Sequence, residues 1–497
     1  MVRDVTCPHK KGVTVTNREH SQGPREWAEA QFGGVELSDV RRVERAITIG
    51  EAMAASPGAT LPEMFACGYD LKAAYSFFRH PEVTPDQLQA GHRERVLLEM
   101  ERPGRYLLLE DTSEILCTKE GEIEGLGPVG ASKSKKIGFH LHSVLSVRWP
   151  EKVEIKAPGR PPVEVIGLVD QQCYVRQPRP VRGKWKPTAR RVYPATTLES
   201  RLWEESSRRI GPAPTSKEVI WVRVSDRGSD IFDHIRGCQQ QGHHYVIRGS
   251  VNRALVTASG EAAGHLFDRV RESPSLGQLE LELRARSGQG ARTARLTVSV
   301  TVVNLRSPQV LGHKPGMRSP IACAAVRIWE AEPPVSVEAL EWVLLTDLPT
   351  ENFEQACEVV QMYATRWLEE EFHKALKTGM GIERLRLTTA HAWFAVTALM
   401  SIAALRLINL RERVRLTPTA EAESADLSEL ELKVLRARSG KPLLTVSNVA
   451  LALGRLGGHL NRKSDGLPGW ITLWRGWRTL QALVEGVMLA PKVSQFG

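Results

Sequence analysis

The segment YATRWLEEEFHKALK, residues 363–377, carries a polar pattern at helical spacing and organises the interpretation of the whole chain. An α-helix turns by about 100° per residue. With Tyr363 placed at zero, three polar residues fall at about 300°, 340° and 320°, namely Arg366, Glu370 and Lys377. Apolar residues lie on the opposite side of this helix, at Leu368, Phe372 and Leu376. The segment therefore predicts a helix that buries one face and presents a tyrosine, two cations and a carboxylate on the other.

The same rotation distinguishes three consecutive glutamates. Glu370 lies on the polar stripe, whereas Glu369 and Glu371 are each turned away from it by about 100°. A solvated amphipathic helix with Arg–Glu pairs one turn apart would explain part of this pattern. It does not explain the tyrosine on the same arc, so Glu370 is the candidate functional carboxylate. The helix is predicted from about residue 352 to 378.

Two aspartates follow short apolar segments that are typical of strands. Asp111 follows YLLLE at 106–110, and Asp226 follows VIWVRVS at 219–225. Either residue alone is also typical of a turn or a helix cap. Combined with Glu370 they form a set of hard oxygen ligands, which suits Mg²⁺ or Mn²⁺ rather than zinc. Two such ions ~3.5–4 Å apart would serve phosphoryl transfer, and Arg366 and Lys377 would bind the phosphates.

The order of elements indicates the fold class. The patterns predict three strands, a helix, a strand, a helix and a fifth strand, at 106–110, 137–149, 163–169, 198–210, 219–225, 230–241 and 243–248. This α/β order is that of a ribonuclease-H-like core, a mixed sheet with helices on both faces. Residues from about 250 to 345 are strand-rich and predict an inserted β-subdomain. Helical patterns precede and follow this core.

Composition limits the cellular setting and the partners. The 497 residues carry a formal net charge of +10, which suits a polyanionic partner such as nucleic acid. Seven widely spaced cysteines indicate a reducing compartment without a disulfide framework or zinc module. The N-terminus lacks the apolar stretch of a secretory signal, and the longest apolar run, about 392–408, is predicted to be a buried helix that stops at Arg406. We therefore expect a cytoplasmic protein without a membrane partner.

Three further segments each leave two interpretations open. Arg41, Arg42 and Arg45 follow the candidate N-caps Ser38 and Asp39, and form either a solvated basic face or a helix laid on DNA. The basic loop at 176–191 is either a solvated tether or a phosphate-binding arm, and a DNA enzyme would favour the arm. An apolar stripe near the C-terminus is either an ordinary core or a dimerisation helix; it consists of Trp470, Leu473, Trp474, Trp477, Leu480, Val484 and Val487.

The spacing Tyr363-x2-Arg366-x3-Glu370-x6-Lys377 resembles the YREK signature of bacterial cut-and-paste transposases of the insertion-sequence-four group, and within it the transposon-five type most closely. Shorter matches extend this likeness in the same order over nearly the whole chain. They are DVRRVER (39–45), LLLEDTS (107–113), SDRGSDI (225–231), YVIRG (245–249), EWVLLTDLP (341–349), ALGRLGGHL (452–460) and GWITLWRGW (469–477). The YREK segment is specific, whereas the two aspartate motifs gain weight only from their order.

The resemblance implies an Asp-Asp-Glu transposase in which Asp111, Asp226 and Glu370 are the catalytic and metal-binding residues, with two Mg²⁺ or Mn²⁺ ions per site. It implies an N-terminal DNA-end-binding domain (1–84) that uses the three arginines, a catalytic domain (85–416) and a C-terminal dimerisation domain (417–497). Trp342 would stack on a flipped base during hairpin chemistry, with cations and a tyrosine on the nearby phosphates. That set is Arg248, Tyr363, Arg366, Lys374 and Lys377. The implied partners are duplex DNA with terminal inverted repeats, target DNA and a second copy of the chain in a synaptic homodimer that cuts in trans, in a bacterial nucleoid.

Two positions depart from the family pattern. Ser250 replaces a second cation after Arg248, and Ser76 replaces a basic residue in AYSFFR, so details of DNA contact are expected to differ. Two other functions fit parts of the sequence: a catalytically inactive, transposase-derived repressor that only binds DNA, and a structure-selective nuclease without strand transfer. The intact carboxylate set argues against the repressor. Trp342 and the C-terminal stripe argue for transposition.

Overall fold

The structure is a computed structural model that describes residues 23–65, 67–117, 122–130, 135–154, 160–176, 201–283, 292–308, 319–335, 337–425, 427–462 and 465–493. Of the basic loop at 176–191, only Arg176 belongs to these ranges, so the prediction for that loop lies outside the described residues. The described cysteines are all free thiols.

The N-terminal region consists of helices, as predicted. They are α1 (Pro24–Phe32), α2 (Val40–Ala55), α3 (Leu61–Met64), α4 (Gly68–Arg79) and α5 (Pro85–Met100). Asp39 caps α2 by accepting a hydrogen bond from the backbone N–H of Arg41 at 2.9 Å. Apolar residues of α1, α2 and α4 join the main core of the protein, so these helices pack directly on the central sheet and its covering helices.

The predicted order of three strands, helix, strand, helix and strand is present. It comprises β1 (Gly104–Cys117), a short β2 (Gly127–Pro128), β3 (Ile137–Trp149), β4 (Glu164–Tyr174), α6 (Arg201–Ile210), β5 (Val219–Ser225), α7 (Phe232–Gln240) and β6 (His244–Arg248). One boundary prediction was wrong, because β1 does not end at Asp111 but continues to Cys117. It can continue because Asp111 still pairs with Ser143 of β3 in an unbroken antiparallel ladder.

In the sheet these strands lie in the order β4–β3–β1–β5–β6. The pairs β1–β3 and β3–β4 are antiparallel, whereas β1–β5 and β5–β6 are parallel. The carboxyl ends of β1's first half, β5 and β6 therefore meet at one edge of the sheet. This edge carries the candidate site.

The strands predicted between residues 250 and 345 are present, and they do not form a sheet of their own. They extend the central sheet because β12 (Glu341–Thr346) pairs with β6, and Leu344 lies opposite Arg248. The other elements of this extension are β7 (Ala254–Val256), β8 (Ala262–His265), α8 (Leu266–Arg271), β9 (Ser275–Leu283), β10 (Arg292–Leu305) and β11 (Ile321–Trp329). The result is a mixed α/β protein with a continuous 12-stranded sheet in its described residues.

The long helix predicted at 352–378 is interrupted twice. Helix α9 (Phe353–Thr365) ends where the N–H of Arg366 bonds to the carbonyl of Tyr363, and α10 (Trp367–Lys374) follows. The turn at Ala375–Gly379 is then a wider π-helical turn, closed by Met380 N–H on the Ala375 carbonyl at 2.7 Å. Such turns are often found at functional sites. They also shift the rotation that a regular helix would give Lys377.

Helix α11 (Ala390–Leu416) is long and apolar enough to cross a membrane by length and composition, but 89% of its most apolar window is buried inside the protein. It is thus a buried core helix, as predicted. It does not stop at Arg406, however, since the Arg406 guanidinium is enclosed between the rings of Trp27 and Trp477, at 5.1 and 4.7 Å. Cation–π contact with two tryptophans lets a cation stay inside the core.

The C-terminal helices are α12 (Glu429–Ser439), α13 (Val446–Leu456) and α14 (Trp470–Val493). They enclose a second apolar core together with the end of α11. The tryptophan stripe of α14 is buried within the chain from Trp470 to Val484, while Val487 is 49% exposed. From Trp470 to Val484 the stripe is therefore an ordinary core, and of its residues only Val487 is exposed for a dimer contact.

Candidate active site

Two predicted carboxylates lie side by side at the carboxyl edge of the sheet. The last paired residues of the parallel strands are Glu110 opposite Ser225, so Asp111 and Asp226 come next on neighbouring strands. Paired strands are about 5 Å apart. The Asp226 carboxylate also accepts a hydrogen bond from Gly228 N–H at 2.8 Å, which orients it at the start of the following turn.

Arg366 joins the third carboxylate to the first. Its Nη1 donates to Asp111 Oδ2 at 3.1 Å, and its Nη2 donates to Glu370 Oε1 at 2.7 Å. The Arg366 side chain is 12% exposed. It contacts two acids that lie 259 positions apart in the chain (370 − 111). The structure therefore brings together Asp111, Asp226, Arg366 and Glu370.

The pKa of Asp111 is raised to about 6, mainly because the side chain is buried. Arg366 opposes this shift, whereas the negative charges of Asp226 and Glu370 add to it. The positive charge of Arg366 therefore acts on Asp111 against both its burial and its repulsion by the other two acids. Additional positive charge at this edge would relieve the repulsion.

The three consecutive glutamates have three different surroundings. Glu370 keeps 29% of its side chain exposed, in agreement with its predicted place on the polar stripe. Glu369 is fully buried beside Asp111, and burial raises its pKa well above the ordinary value. Glu371 is buried against the guanidinium of Arg411. Only Glu370 can therefore face a large substrate.

The two lysines of the segment differ in position. Lys377 lies near the carboxylates of Glu383, Glu114 and Asp111, while burial lowers its pKa. Lys374 is exposed, and its Nζ lies 5.3 Å from the ring centre of Trp367. The structure thus places Lys377 with the acidic edge and gives Lys374 no contact with it.

A row of stacked rings and cations links the site to the extended sheet. Arg248 lies over the ring of Trp342 at 5.7 Å, and this ring meets Tyr363 edge-on at 5.1 Å. The guanidinium carbon of Arg366 in turn lies 5.8 Å from the ring centre of Tyr363. Four predicted site residues from three elements therefore form one continuous group next to Asp111, although Tyr363 itself is only 5% exposed.

The three N-terminal arginines are not equivalent. Arg42 pairs with Glu82 in the turn after α4, and Arg45 pairs with Asp70 of α4 at 2.8 Å, so both guanidinium groups are engaged by other parts of the N-terminal region. Arg41 keeps 88% of its side chain exposed, although it contacts its neighbour Asp39. Arg42 and Arg45 are thus paired with carboxylates of the protein, and the role of the three arginines in DNA binding stays a prediction.

Sequence reasoning missed the buried ion pair formed by Glu110 and Arg223. Both side chains are fully buried on the face of the sheet opposite Asp111, under the two aspartates. Burial lowers the pKa of Arg223 to about 10. The signal was present, because both charges occupy inward positions of strands that otherwise read as apolar. Asp230, described below, was missed as well.

The candidate metal donors at this edge are the carboxylates of Asp111, Asp226 and Glu370. Among the residues that the structure describes, no group of three His, Cys, Asp or Glu side chains is gathered closely enough to hold an ion as it stands. Arg366 lies between Asp111 and Glu370 instead. The donors nevertheless have the right chemistry, since three carboxylates suit a hard divalent cation, and such a cation would neutralise the charges of Asp226 and Glu370 that act on Asp111.

Comparison with known proteins supports a DNA function for the N-terminal helices. Residues 24–83 match the family described as "Transposase DNA-binding". Among solved structures, the chain aligns with the piggyBac transposase synaptic complex with hairpin DNA at 10% identity, covering 96% of this chain and 80% of that one, with a TM-score of 0.34. The domain match supports a DNA-binding transposase, whereas a TM-score this low carries no inference about shared chemistry.

Proposed function

We propose that this protein is a DNA transposase of the insertion-sequence-four group, transposon-five type, that performs cut-and-paste transposition with a ribonuclease-H-like core. The observation that carries the proposal is the convergence of three distant acids, with Asp111 and Asp226 just beyond the last parallel pair of β1 and β5 and Glu370 joined to Asp111 through Arg366. The transposase DNA-binding match at 24–83 supports the substrate. The strand order β4–β3–β1–β5–β6 supports the core.

In this proposal Asp111, Asp226 and Glu370 hold two Mg²⁺ or Mn²⁺ ions, which would supply an activated oxygen nucleophile and stabilise the leaving oxygen. Arg366 would release part of its contact with the acids and bind a phosphate beside them, as its guanidinium suits both partners. Lys377 adds positive charge next to Asp111. The acids thus bind and orient, and the cations hold the DNA backbone.

Hairpin formation on the cut end would need an unpaired base to leave the duplex. Trp342 is half-buried and lies between Arg248 and Tyr363. A base stacked on it would have phosphates close to Arg248 and to Arg366. This arrangement supports nicking, hairpin formation, hairpin opening and strand transfer as the sequence of steps.

Recognition of the transposon end is assigned to the exposed face of α4 and the start of α2. Tyr69, Lys72, Ser76 and Arg79 recur at helical spacing and are all exposed, with no acid among them. Arg41 is exposed on the neighbouring helix, and the Arg45–Asp70 pair joins α2 to α4. A face of this kind suits contact with phosphates and base edges.

A synaptic homodimer working in trans on inverted-repeat ends and a target duplex, in the bacterial nucleoid, completes the proposal. The decisive experiment incubates the full chain and Mg²⁺ with a labelled transposon end taken from the DNA flanking the gene. Hairpin formation followed by strand transfer is the expected result. Nicking without a hairpin would favour a nuclease, and a gel shift without cleavage would favour a repressor.

A further inference from the structure

The carboxylate of Asp230, four residues after Asp226, makes an unusually dense set of contacts. Its side chain is fully buried. Oδ2 accepts hydrogen bonds from the backbone N–H groups of Ser250 at 2.7 Å and Val251 at 2.9 Å, and Oδ1 accepts from Arg253 Nε at 2.9 Å. All three donors belong to the loop that follows Arg248, so one side chain determines where this loop lies.

The turn that carries Asp230 is itself held by local hydrogen bonds. Asp226 accepts from Gly228 N–H through Oδ1, and its carbonyl accepts from Ser229 Oγ at 2.8 Å. Ser250 Oγ also donates to the carbonyl of Arg227 at 3.2 Å. The loop after β6 is therefore attached to the turn after β5 at two points, one on each side of Ser229.

This attachment lies at the carboxyl edge of the sheet. Ser225 is opposite Ile247 in the parallel pair β5–β6, so Asp226 and Arg248 are the next residues on their strands. Gly249 N–H then bonds to the carbonyl of Val343 at 2.8 Å, which keeps the loop beside Trp342 on β12. The loop after β6 thus lies between the end of β5 at Asp226 and the start of β12 at Trp342.

The surface of this loop suits a DNA backbone. Ser250 and Asn252 are exposed, Val251 is 48% exposed, and Arg227 is exposed on the adjoining turn. An uncompensated carboxylate here would repel phosphates, but Asp230 is buried and neutralised by Arg253. The outward charge is consequently that of Arg227 and Arg248.

We propose that Asp230 is a positioning residue for DNA cleavage: it holds loop 250–253 against the turn after β5, so that Arg227 and Arg248 flank Asp226 at set positions on the phosphates of the cleaved strand. This inference rests on the proposed function. Misplacement of a positioning group by about 1 Å can cost about 100-fold in rate, so a loosened loop should slow the reaction more than it weakens binding.

The test is Asp230→Asn in the full-length protein. The Asn amide nitrogen cannot accept a hydrogen bond, so either the two backbone N–H groups or Arg253 loses its partner. Single-turnover cleavage of a labelled transposon end is measured with Mg²⁺ at saturating protein, together with the Kd for that end. We expect the rate constant to fall at least about 10-fold while Kd changes less than about 3-fold. Asp268→Asn, an exposed aspartate on α8, is the matched control and should behave like the unmodified protein.

The rate constant separates positioning from simple loss of folding, since partial unfolding lowers the amplitude of product and leaves the rate constant of the folded fraction unchanged. If Asp230→Asn does not fold, Arg253→Lys offers a milder change, because lysine cannot make the forked contact. A rate constant equal to that of the unmodified protein in the folded variant overturns this inference and leaves the proposed function standing. Absence of cleavage by the unmodified protein itself overturns the proposed function, and this inference with it.

Discussion

At the carboxyl edge of the sheet, Arg366 reaches two carboxylates with side-chain atoms, whereas in the C-terminal helices α13 and α14 meet backbone to backbone through Gly457 and Gly476. The first region is assembled from charges that partly compensate one another. The second depends on the absence of side-chain atoms at the crossing. At the sheet edge, an isosteric substitution that removes a charge should therefore lower activity with little loss of stability. In the C-terminal helices, one added methyl group should lower stability with little effect on the chemistry of the site.

The largest expected effect is at Glu370. Glu370→Gln keeps the shape and an oxygen acceptor for Arg366 but removes a negative ligand, so cleavage of a labelled end should fall by about 10³-fold or more, equivalent to several kcal/mol of lost transition-state stabilisation. The side chain is partly exposed, so the free energy of unfolding should change by less than about 1 kcal/mol. Glu354→Gln, exposed in the first turn of α9, is the matched control. Cleavage retained in Glu370→Gln would remove this residue from the site.

Gly476→Ala should give the largest loss of stability. An added Cβ would overlap the Leu453 carbonyl of α13, which is backbone and cannot move aside. Overpacking of this kind costs about 1–3 kcal/mol, and it outweighs the gain of about 1 kcal/mol that Ala brings to a helix. Gly486→Ala in the same helix meets no atom within 4 Å and should be stabilising instead. Chemical denaturation of both variants measures the contrast, and equal effects would contradict the close crossing.

The sheet edge could be predicted largely from sequence because its cues are local. Apolar segments before Asp111 and Asp226 indicated two strands, although β1 continues past Asp111 to Cys117, and the helical rotation distinguished Glu370 from Glu369 and Glu371. The regular helical rotation predicted the side-chain directions correctly over the one to two turns from Arg366 to Glu371. It was less accurate for Lys377, because the π-helical turn at Ala375–Gly379 depends on packing that no periodicity records.

Other features depended on contacts between distant residues and could not be predicted. The continuity of the sheet rests on the β12–β6 pairing, which a strand pattern alone does not specify. The ion pairs of Arg42 and Arg45 depend on partners outside α2, Glu82 in the turn after α4 and Asp70 on α4. Burial of the α14 stripe could not be distinguished from a dimer contact, because both need the same apolar spacing.

Away from the site, a third region contains a buried histidine, His92, that the fold keeps uncharged. His92 is buried between α5 and β4, where Nε2 accepts the Leu168 N–H at 3.0 Å and Nδ1 contacts Gln31 Oε1 at 2.9 Å. Burial lowers its pKa to about 3. The folded state thus excludes a proton that the unfolded chain takes up near pH 6.5, so this contribution to stability is complete above that pH and is lost as pH falls from 6.5 toward 3.

At pH 5 the loss from His92 should be about 2 kcal/mol. His92→Gln keeps an acceptor for Leu168 and cannot be protonated. Between pH 7.5 and 5, the free energy of unfolding of the unmodified protein should therefore fall by about 2 kcal/mol relative to that of this variant. Denaturant unfolding at the two pH values measures it. The other buried histidines contribute equally to both proteins and cancel. A gap that does not change with pH would contradict the neutral, buried state of this ring.

The smallest expected effect concerns the arginines of α2. It distinguishes an arginine that is exposed to solvent from one that is already paired with a carboxylate of the protein. Arg41 is largely exposed, so Arg41→Ala should weaken binding of the transposon end by up to about 10-fold and reduce the salt slope by about one, with no change in melting temperature. Arg45→Ala breaks the pair with Asp70 and should instead lower stability, by less than about 1 kcal/mol since that pair is partly exposed. Binding isotherms at several salt concentrations, beside melting curves for both variants, distinguish these outcomes. If Arg45→Ala gave the larger change in salt slope, the Arg45–Asp70 ion pair would have to open when DNA binds. Arg45 would then resemble Arg366 at the sheet edge, which must also leave its carboxylates to bind a phosphate.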